Sequence, residues 1–297
     1  MKTTTEQLKQ IFEDCTLTHS GKGEYWLTTP DYPIEDYPKF KKMITDVGGV
    51  WKRKGFLFTS DPQRVLEQIF QQGIDWKKLT QFFPTPHPVC RKMVEKLPQG
   101  VEYWHGKRIL EPSAGRGSIL MEILLRTCFL KLAKNSVGEQ KLDPTLQVLP
   151  QSQVDLCEID EFNYLCLENK IPQKMGYNRV CRDFMHLPTD WKYDIILANP
   201  PFHKNQYALH LKKMVQHLSP GADIVCILPA NAQHENLFDD LCDITFEPLS
   251  NGEFRSSGTT VNTVILSAKR KRELVLAPVF HKPAKRHKHE GQLTLFI

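Results

Sequence analysis

No stretch of this 297-residue chain approaches the roughly 18 to 20 consecutive apolar residues that a membrane-spanning helix needs, so no membrane partner is expected. The segment Met1 to Cys15 is polar with helical spacing and lacks the apolar core of a secretory leader, so a cytoplasmic location is expected. The eight cysteines include no Cys-x-x-Cys pair. They are expected as reduced thiols, with no disulfide framework and no metal site. No internal repeat is present. Hydrophobic residues at 40% and charged residues at 25% supply a sizeable core and exclude global disorder.

The net charge is +5, and it is unevenly spread. Residues 269–289 carry a local +7 and residues 38–78 a local +5, which leaves the rest of the chain acidic. Basic flanks around an acidic centre fit a protein that meets a polyanion, such as nucleic acid, through its edges. A solvated tail and an ordinary surface would carry the same charges.

Three regions separate on pattern. In residues 1–79, Tyr25, Trp26 and Leu27 suggest a strand, and Tyr37 to Val47 reads as an amphipathic helix broken by Gly48-Gly49. Val50 to Phe58 reads as a hairpin turning near Lys54-Gly55, and Asp61-Pro62 starts a further helix. This is a small α+β accessory module. Residues 80–268 alternate apolar runs (Arg108–Leu110, Val154–Cys157, Tyr193–Ala198, Ile224–Leu228, Thr263–Ser267) with helical patterns, which argues for a mostly parallel α/β sheet. Such sheets bind ligands at the carboxyl ends of their strands. Residues 135–153 read as a surface insertion, and residues 269–297 as a basic flexible tail.

Four motifs lie where those strands end. The first is Glu111-Pro112-Ser113-Ala114-Gly115-Arg116-Gly117, an acid and a glycine turn before the apolar helix of Ile119 to Leu132. Its glycines permit close backbone approach to a ligand. The dinucleotide pattern G-x-G-x-x-G is not met, because Ser118, Ile119 and Leu120 follow Gly117. The second is Glu158, after Val154 to Cys157, an acid able to accept from both ribose hydroxyls of a nucleoside. The third is Asp183-Phe184, an acceptor for an exocyclic amine beside a ring that can pack on a purine.

The fourth carries the most weight. A buried strand, Asp194 to Ala198, ends in Asn199-Pro200-Pro201-Phe202. Neither proline can donate, and each restricts the residue before it, so the turn is stiff. It holds the Asn199 amide oxygen and the Pro200 carbonyl as convergent acceptors, with Phe202 as a stacking surface. A planar ring bearing an amine fits such a site.

On these residues the stretch 80–268 resembles the class I S-adenosylmethionine-dependent methyltransferases, and among them the adenine-N6 DNA methyltransferases with gamma motif order. Phe83-Pro84-Thr85-Pro86 is similar to the Thr-Pro element at the cofactor's methionine end. Glu111 through Gly117 is similar to the cofactor glycine turn, Glu158 to the ribose acid and Asp183-Phe184 to the adenine pair. Asn199 to Phe202 is similar to the catalytic tetrapeptide, and the segment from Phe254 through Arg255 to Thr263 to one bordering the target pocket. The resemblance implies a Rossmann-like fold with a mostly parallel seven-stranded sheet, S-adenosyl-L-methionine as cofactor, and DNA with a flipped adenine as partner. It covers about two thirds of the chain. Gamma enzymes usually carry a large target-recognition domain after the catalytic part, whereas only about 40 residues follow Phe254 here. The Gly48 to Phe56 stretch resembles a module found ahead of methyltransferases in phage and mobile-element proteins. Its Lys52, Arg53 and Lys54 are phosphate-contact candidates, as is Arg255; the other reading is a solvent-facing hairpin with Trp51 and Phe56 in the core.

Gln292-Leu293-Thr294-Leu295-Phe296 resembles the peptide by which bacterial proteins dock on the replicative sliding clamp, with Leu293, Leu295 and Phe296 filling an apolar pocket. A tail end packed on its own domain is the alternative. Two other activities stay open: methylation of RNA adenine or protein glutamine, whose planar nitrogen suits the same acceptors, and a non-catalytic cofactor sensor that binds DNA.

Overall fold

The computed structural model describes residues 5–21, 23–53, 55–72, 84–127, 133–134, 140–141, 152–250, 253–254 and 261–272. Lys54, Arg255, the basic tail beyond Arg272 with its Gln292, Leu293, Leu295 and Phe296, and most of the expected insertion lie outside the described residues. Among the described residues no helix is long and apolar enough to cross a membrane.

The N-terminal part runs α1 (Thr5–Glu13), β1 (Thr16–His19), β2 (Tyr25–Thr28), α2 (Tyr37–Asp46), β3 (Val50–Lys52), β4 (Gly55–Phe58) and α3 (Gln63–Gln72). Its strands form an antiparallel sheet in the order β1-β2-β4-β3. Pro38 sits in the first turn of α2, where its missing N–H costs nothing. Phe40 and Ile44 of α2, Phe56 and Phe58 of β4 and Val65 and Leu66 of α3 are buried together, as their period-3.6 and period-2 spacings require. The hairpin expectation resolves unequally: Phe56 is core, whereas Trp51 keeps 37% of its surface exposed on the edge strand β3.

The larger part runs α4 (His87–Glu95), α5 (Val101–Trp104), β5 (Arg108–Glu111), α6 (Ser118–Thr127), β6 (Ala133–Lys134), β7 (Gln140–Lys141), β8 (Gln153–Cys157), α7 (Glu161–Lys170), β9 (Tyr177–Cys181), β10 (Tyr193–Ala198), α8 (Gln206–His217), β11 (Leu218–Pro229), β12 (Leu241–Pro248) and β13 (Thr263–Arg270). Seven strands form one sheet in the order β12-β13-β11-β10-β5-β8-β9. It is parallel except for β13, which runs antiparallel to both β11 and β12. This is a Rossmann-like architecture of the methyltransferase type, as the resemblance implied. The five apolar runs mark β5, β8, β10, β11 and β13. Strands β9 and β12 escaped that reading because they are the sheet edges: half-exposed strands need not be continuously apolar.

The core of the N-terminal part also takes in Leu165 and Cys166 from α7 of the larger part. The Ser60 hydroxyl donates to Asn169 Oδ1 at 3.0 Å, which adds a polar tie to the same helix. Gly48, at φ +104°, lies so close to α7 that a Cβ there would meet the Asn169 backbone carbon at 2.9 Å. Both the left-handed backbone and the close approach require glycine. We predict that Gly48→Ala lowers stability by about 1–3 kcal/mol, read by denaturant unfolding. An unchanged midpoint would contradict the close approach of Gly48 to α7.

Candidate functional site

The sheet order reverses at β5. Strand β8 follows it in sequence on one side, while β10 returns on the other. The loops leaving β5 and β10 therefore diverge, and a crevice opens at their carboxyl ends. A cavity of about 590 Å³ lies there. Its walls include Thr85, Glu111, Pro112, Ser113, Ala114, Gly115, Glu158, Asp183, Phe184, Asn199, Pro200, Pro201 and Phe202. Residues more than 110 positions apart in sequence thus meet on one surface.

Two of the expected cofactor-binding residues do not line it. Pro86 is the N-cap of α4, and its carbonyl accepts from the Val89 and Cys90 amides at 2.9 and 3.0 Å. Gly117, at φ +81°, faces α7 rather than the cavity: a Cβ there would sit 2.8 Å from Ile171 Cδ1. Its glycine requirement comes from helix packing and backbone conformation, whereas Gly115, at φ +55°, sits in the wall itself. The hairpin residues Lys52 and Arg53 lie on the N-terminal module, outside the lining.

The two cavity acids differ in environment. Glu158 accepts from the Gly115 amide at 2.6 Å through Oε2 and from the Asp160 amide at 2.8 Å through Oε1. Burial nevertheless pushes its carboxyl up to about 7, with the two N–H donors only partly offsetting the loss of water. Glu111 ends β5 fully buried, and its Oε2 has no hydrogen-bond partner among the described residues. Burial, then the negative charge of Glu158, raises it well above the usual carboxylate range. A buried carboxyl short of a partner is a place where a ligand cation or donor gains most.

The turn after β10 is anchored from two directions. The Asn199 side-chain amide donates from Nδ2 to Thr85 Oγ1 at 3.0 Å, and its backbone carbonyl accepts from the Ser113 hydroxyl at 3.1 Å. Phe202 packs between the two halves of the core and meets Tyr207 edge-on at 6.3 Å. One residue further on, Lys204 and Asn205 both adopt left-handed backbone, at φ +51° and +59°. Such conformations cost side-chain-bearing residues of the order of 1 kcal/mol each and cluster at functional loops. Asp183 is already engaged: Oδ1 accepts from the Met185 amide and Oδ2 pairs with His186 Nδ1, both at 2.9 Å.

Sequence reasoning missed several lining residues. Ile159 and Met185 are apolar yet 62% and 39% exposed at the cavity, each one position beyond a residue it had singled out. That adjacency was the available signal. Gln206 and His210 line the wall from α8, four positions apart on one helix face. Burial lowers the His210 imidazole below its ordinary range, so it is neutral near pH 7, and its Nδ1 lacks a partner among the described residues. Arg116 also faces the cavity; its Nε donates to Asn163 Oδ1 at 3.1 Å and its guanidinium lies 5.2 Å from the Phe162 ring.

No protein-family model matches the chain, and no curated protein matches it significantly. Solved structures do. A protein assigned as the modification subunit of a type I restriction enzyme from Vibrio vulnificus aligns with a TM-score of 0.50 at 21% identity, over 70% of this chain and 49% of its own. A protein assigned as a class I S-adenosylmethionine-dependent methyltransferase from Listeria monocytogenes aligns with a TM-score of 0.49 at 12% identity, over 73% and 70%. A Thermus thermophilus 16S rRNA methyltransferase in complex with AdoMet and guanosine aligns with a TM-score of 0.43 at 16% identity, over 63% and 43%. The chain thus spans about half the length of the Vibrio structure it resembles. At these identities the likeness is one of fold: this is a chain with a methyltransferase fold.

The raised Glu158 sets a pH dependence. Its folded-state value near 7 lies above the ordinary 4.5, so the folded protein holds this proton more tightly than the unfolded chain. The stability it contributes is fully present below about 4.5 and is lost as pH rises through about 7. We predict that the stability difference between the parent and Glu158→Gln changes across that window, measured by denaturant unfolding at several pH values. A difference independent of pH would contradict the burial of this acid.

Proposed function

We propose that this chain transfers a methyl group from S-adenosylmethionine to the N6 amine of adenine in DNA. The observation that carries the reading is the meeting of the Asn199-Pro200-Pro201-Phe202 turn with the Glu111 to Gly115 turn and Glu158 in one cavity. The residues present fit the cofactor. Glu111, with its orphaned oxygen, would take the methionine ammonium, and Glu158 the ribose hydroxyls. Phe184, Ile159 and Met185 offer apolar surface to the adenine ring, with Asp183 beside them if His186 yields its contact. When bound, S-adenosylmethionine supplies an electrophilic methyl group on a sulfonium.

The remaining work falls to the diproline turn. A target adenine inside a duplex cannot bring its amine into a cavity, so it must leave the stack. Asn199 Oδ1 and the Pro200 carbonyl accept from the amine hydrogens and draw the nitrogen toward tetrahedral geometry. Its lone pair is then withdrawn from the ring and becomes nucleophilic. Phe202 stacks on the extruded base, worth about 1–3 kcal/mol by analogy with stacking platforms. Positioning and fixed dipoles, not a strong base, would supply the rate: the donor's sulfur would leave as a neutral thioether, and the alkylated nitrogen would be acidic enough to release its surplus proton to solvent. Lys52 and Arg53, with Lys54 and Arg255, would contact backbone phosphates, and the Gln292 to Phe296 peptide would dock on a sliding clamp.

The decisive assay incubates the chain with labelled S-adenosylmethionine and plasmid DNA, RNA or protein in parallel. Label on N6-adenine of DNA is expected. Label on RNA or on protein glutamine instead, or cofactor binding without transfer, would replace the proposal with the corresponding alternative. Asn199→Ala should lower transfer by ~100-fold or more while cofactor binding persists. Removing Lys52 and Arg53 together should weaken DNA binding and reduce its salt slope by roughly one unit per lost contact.

A further inference from the structure

An asparagine amide is chemically two-faced: Oδ1 only accepts and Nδ2 only donates, and the two ends have nearly the same shape. The proposed reaction needs the accepting end toward the substrate amine. A flipped amide would set two donors against each other. The side-chain partner of this amide among the described residues comes from outside the Asn-Pro-Pro-Phe turn.

We infer that Thr85 is the positioning residue that holds the Asn199 side chain with its accepting end toward the cavity, an inference that rests on the reading of Asn199 as an acceptor given above. A threonine hydroxyl can accept or donate; here it accepts from Nδ2 of Asn199 at 3.0 Å, which leaves Oδ1 as the end available in the cavity that both residues line. Thr85 is 7% exposed, so water competes little for that bond. Its own placement is stiff. Pro84 precedes it and Pro86 follows it, and Pro86 restricts the backbone of Thr85 to extended conformations. Pro86 also caps α4, whose Val89, Cys90, Met93 and Val94 are buried in the core, so the hydroxyl is tied to a fixed helix. The β-branched side chain has few rotamers to lose. Ser113 fixes the other half of the residue by donating to the Asn199 carbonyl at 3.1 Å. Side chain and backbone of Asn199 are therefore held by two hydroxyls from different loops.

The test separates the hydroxyl from the shape. Thr85→Val keeps the volume and removes the acceptor; Thr85→Ser keeps the acceptor and removes a methyl. The first readout needs no substrate: the side-chain NH2 resonances of Asn199, assigned through their loss in Asn199→Asp. They are expected to move toward the free-amide position in Thr85→Val and to stay in Thr85→Ser. Unmoved resonances in Thr85→Val would overturn the proposal, and Thr85→Ala replaces it if the valine variant does not fold. The second readout is methyl transfer at saturating cofactor. There kcat should fall roughly 3- to 10-fold in Thr85→Val, the scale of one net hydrogen bond, and recover in Thr85→Ser. A loss confined to the KM for cofactor, or no recovery with serine, would make Thr85 a cofactor contact only. If Asn199→Ala is itself fully active, the reading of the site fails instead, and the resonance shifts still decide whether Thr85 orients the amide.

Discussion

The parallel pairing of β5 with β10 is the contact on which the site depends. Ile109 lies opposite Ile195 and Leu110 opposite Ile196, all fully buried, so the two strands are locked in register by a core with no room to slip. Glu111 ends one of these strands and Ala198 ends the other, which delivers the glycine turn and the diproline turn to the same edge. A one-residue slip would turn either acid or amide into the core. The hydrogen bond from the Ser113 hydroxyl to the Asn199 carbonyl then closes the two turns onto each other.

Around this junction the chain holds arrangements that a purely structural core would avoid. Two acids lie buried near each other, each raised by loss of water, and one keeps an oxygen without a partner. Two consecutive residues with side chains hold left-handed backbone just past Phe202. A neutral imidazole on α8 has an unpaired nitrogen in the same wall. The well-packed sheet elsewhere offsets the local cost of these arrangements.

The N-terminal part is joined to this site by more than covalent linkage. Helix α7 starts beside the cavity, where Asp160 and Asn163 form part of the wall. The outer residues of the same helix, Leu165 and Cys166, complete the core of the N-terminal sheet. Phe162, against which the Arg116 guanidinium lies, packs on that core too. One short helix therefore serves the glycine turn on one face and the module on the other, and the two parts share a boundary that composition alone could not mark.

Much of this was legible in the residues. Apolar runs located the five central strands because strands buried on both faces must be continuously apolar, and the Asn-Pro-Pro-Phe and Glu-Pro-Ser-Ala-Gly turns were recognisable because proline restricts the backbone and glycine frees it whatever surrounds them. Edge strands β9 and β12 were not, since half-exposed strands tolerate polar residues. Nor could Ile159, Met185 and His210 be assigned to the cavity, or Gly117 removed from it, because those facts depend on which neighbour lies across a gap. The sequence by itself determined the local chemistry: which turns are stiff, which ends of strands carry acids and acceptors. Only the tertiary structure decided that Thr85 faces the Asn199 amide and that Leu165 completes the core of the N-terminal sheet, because contacts between residues more than a hundred positions apart are set by packing of the whole sheet and its helices, not by any local preference of the chain.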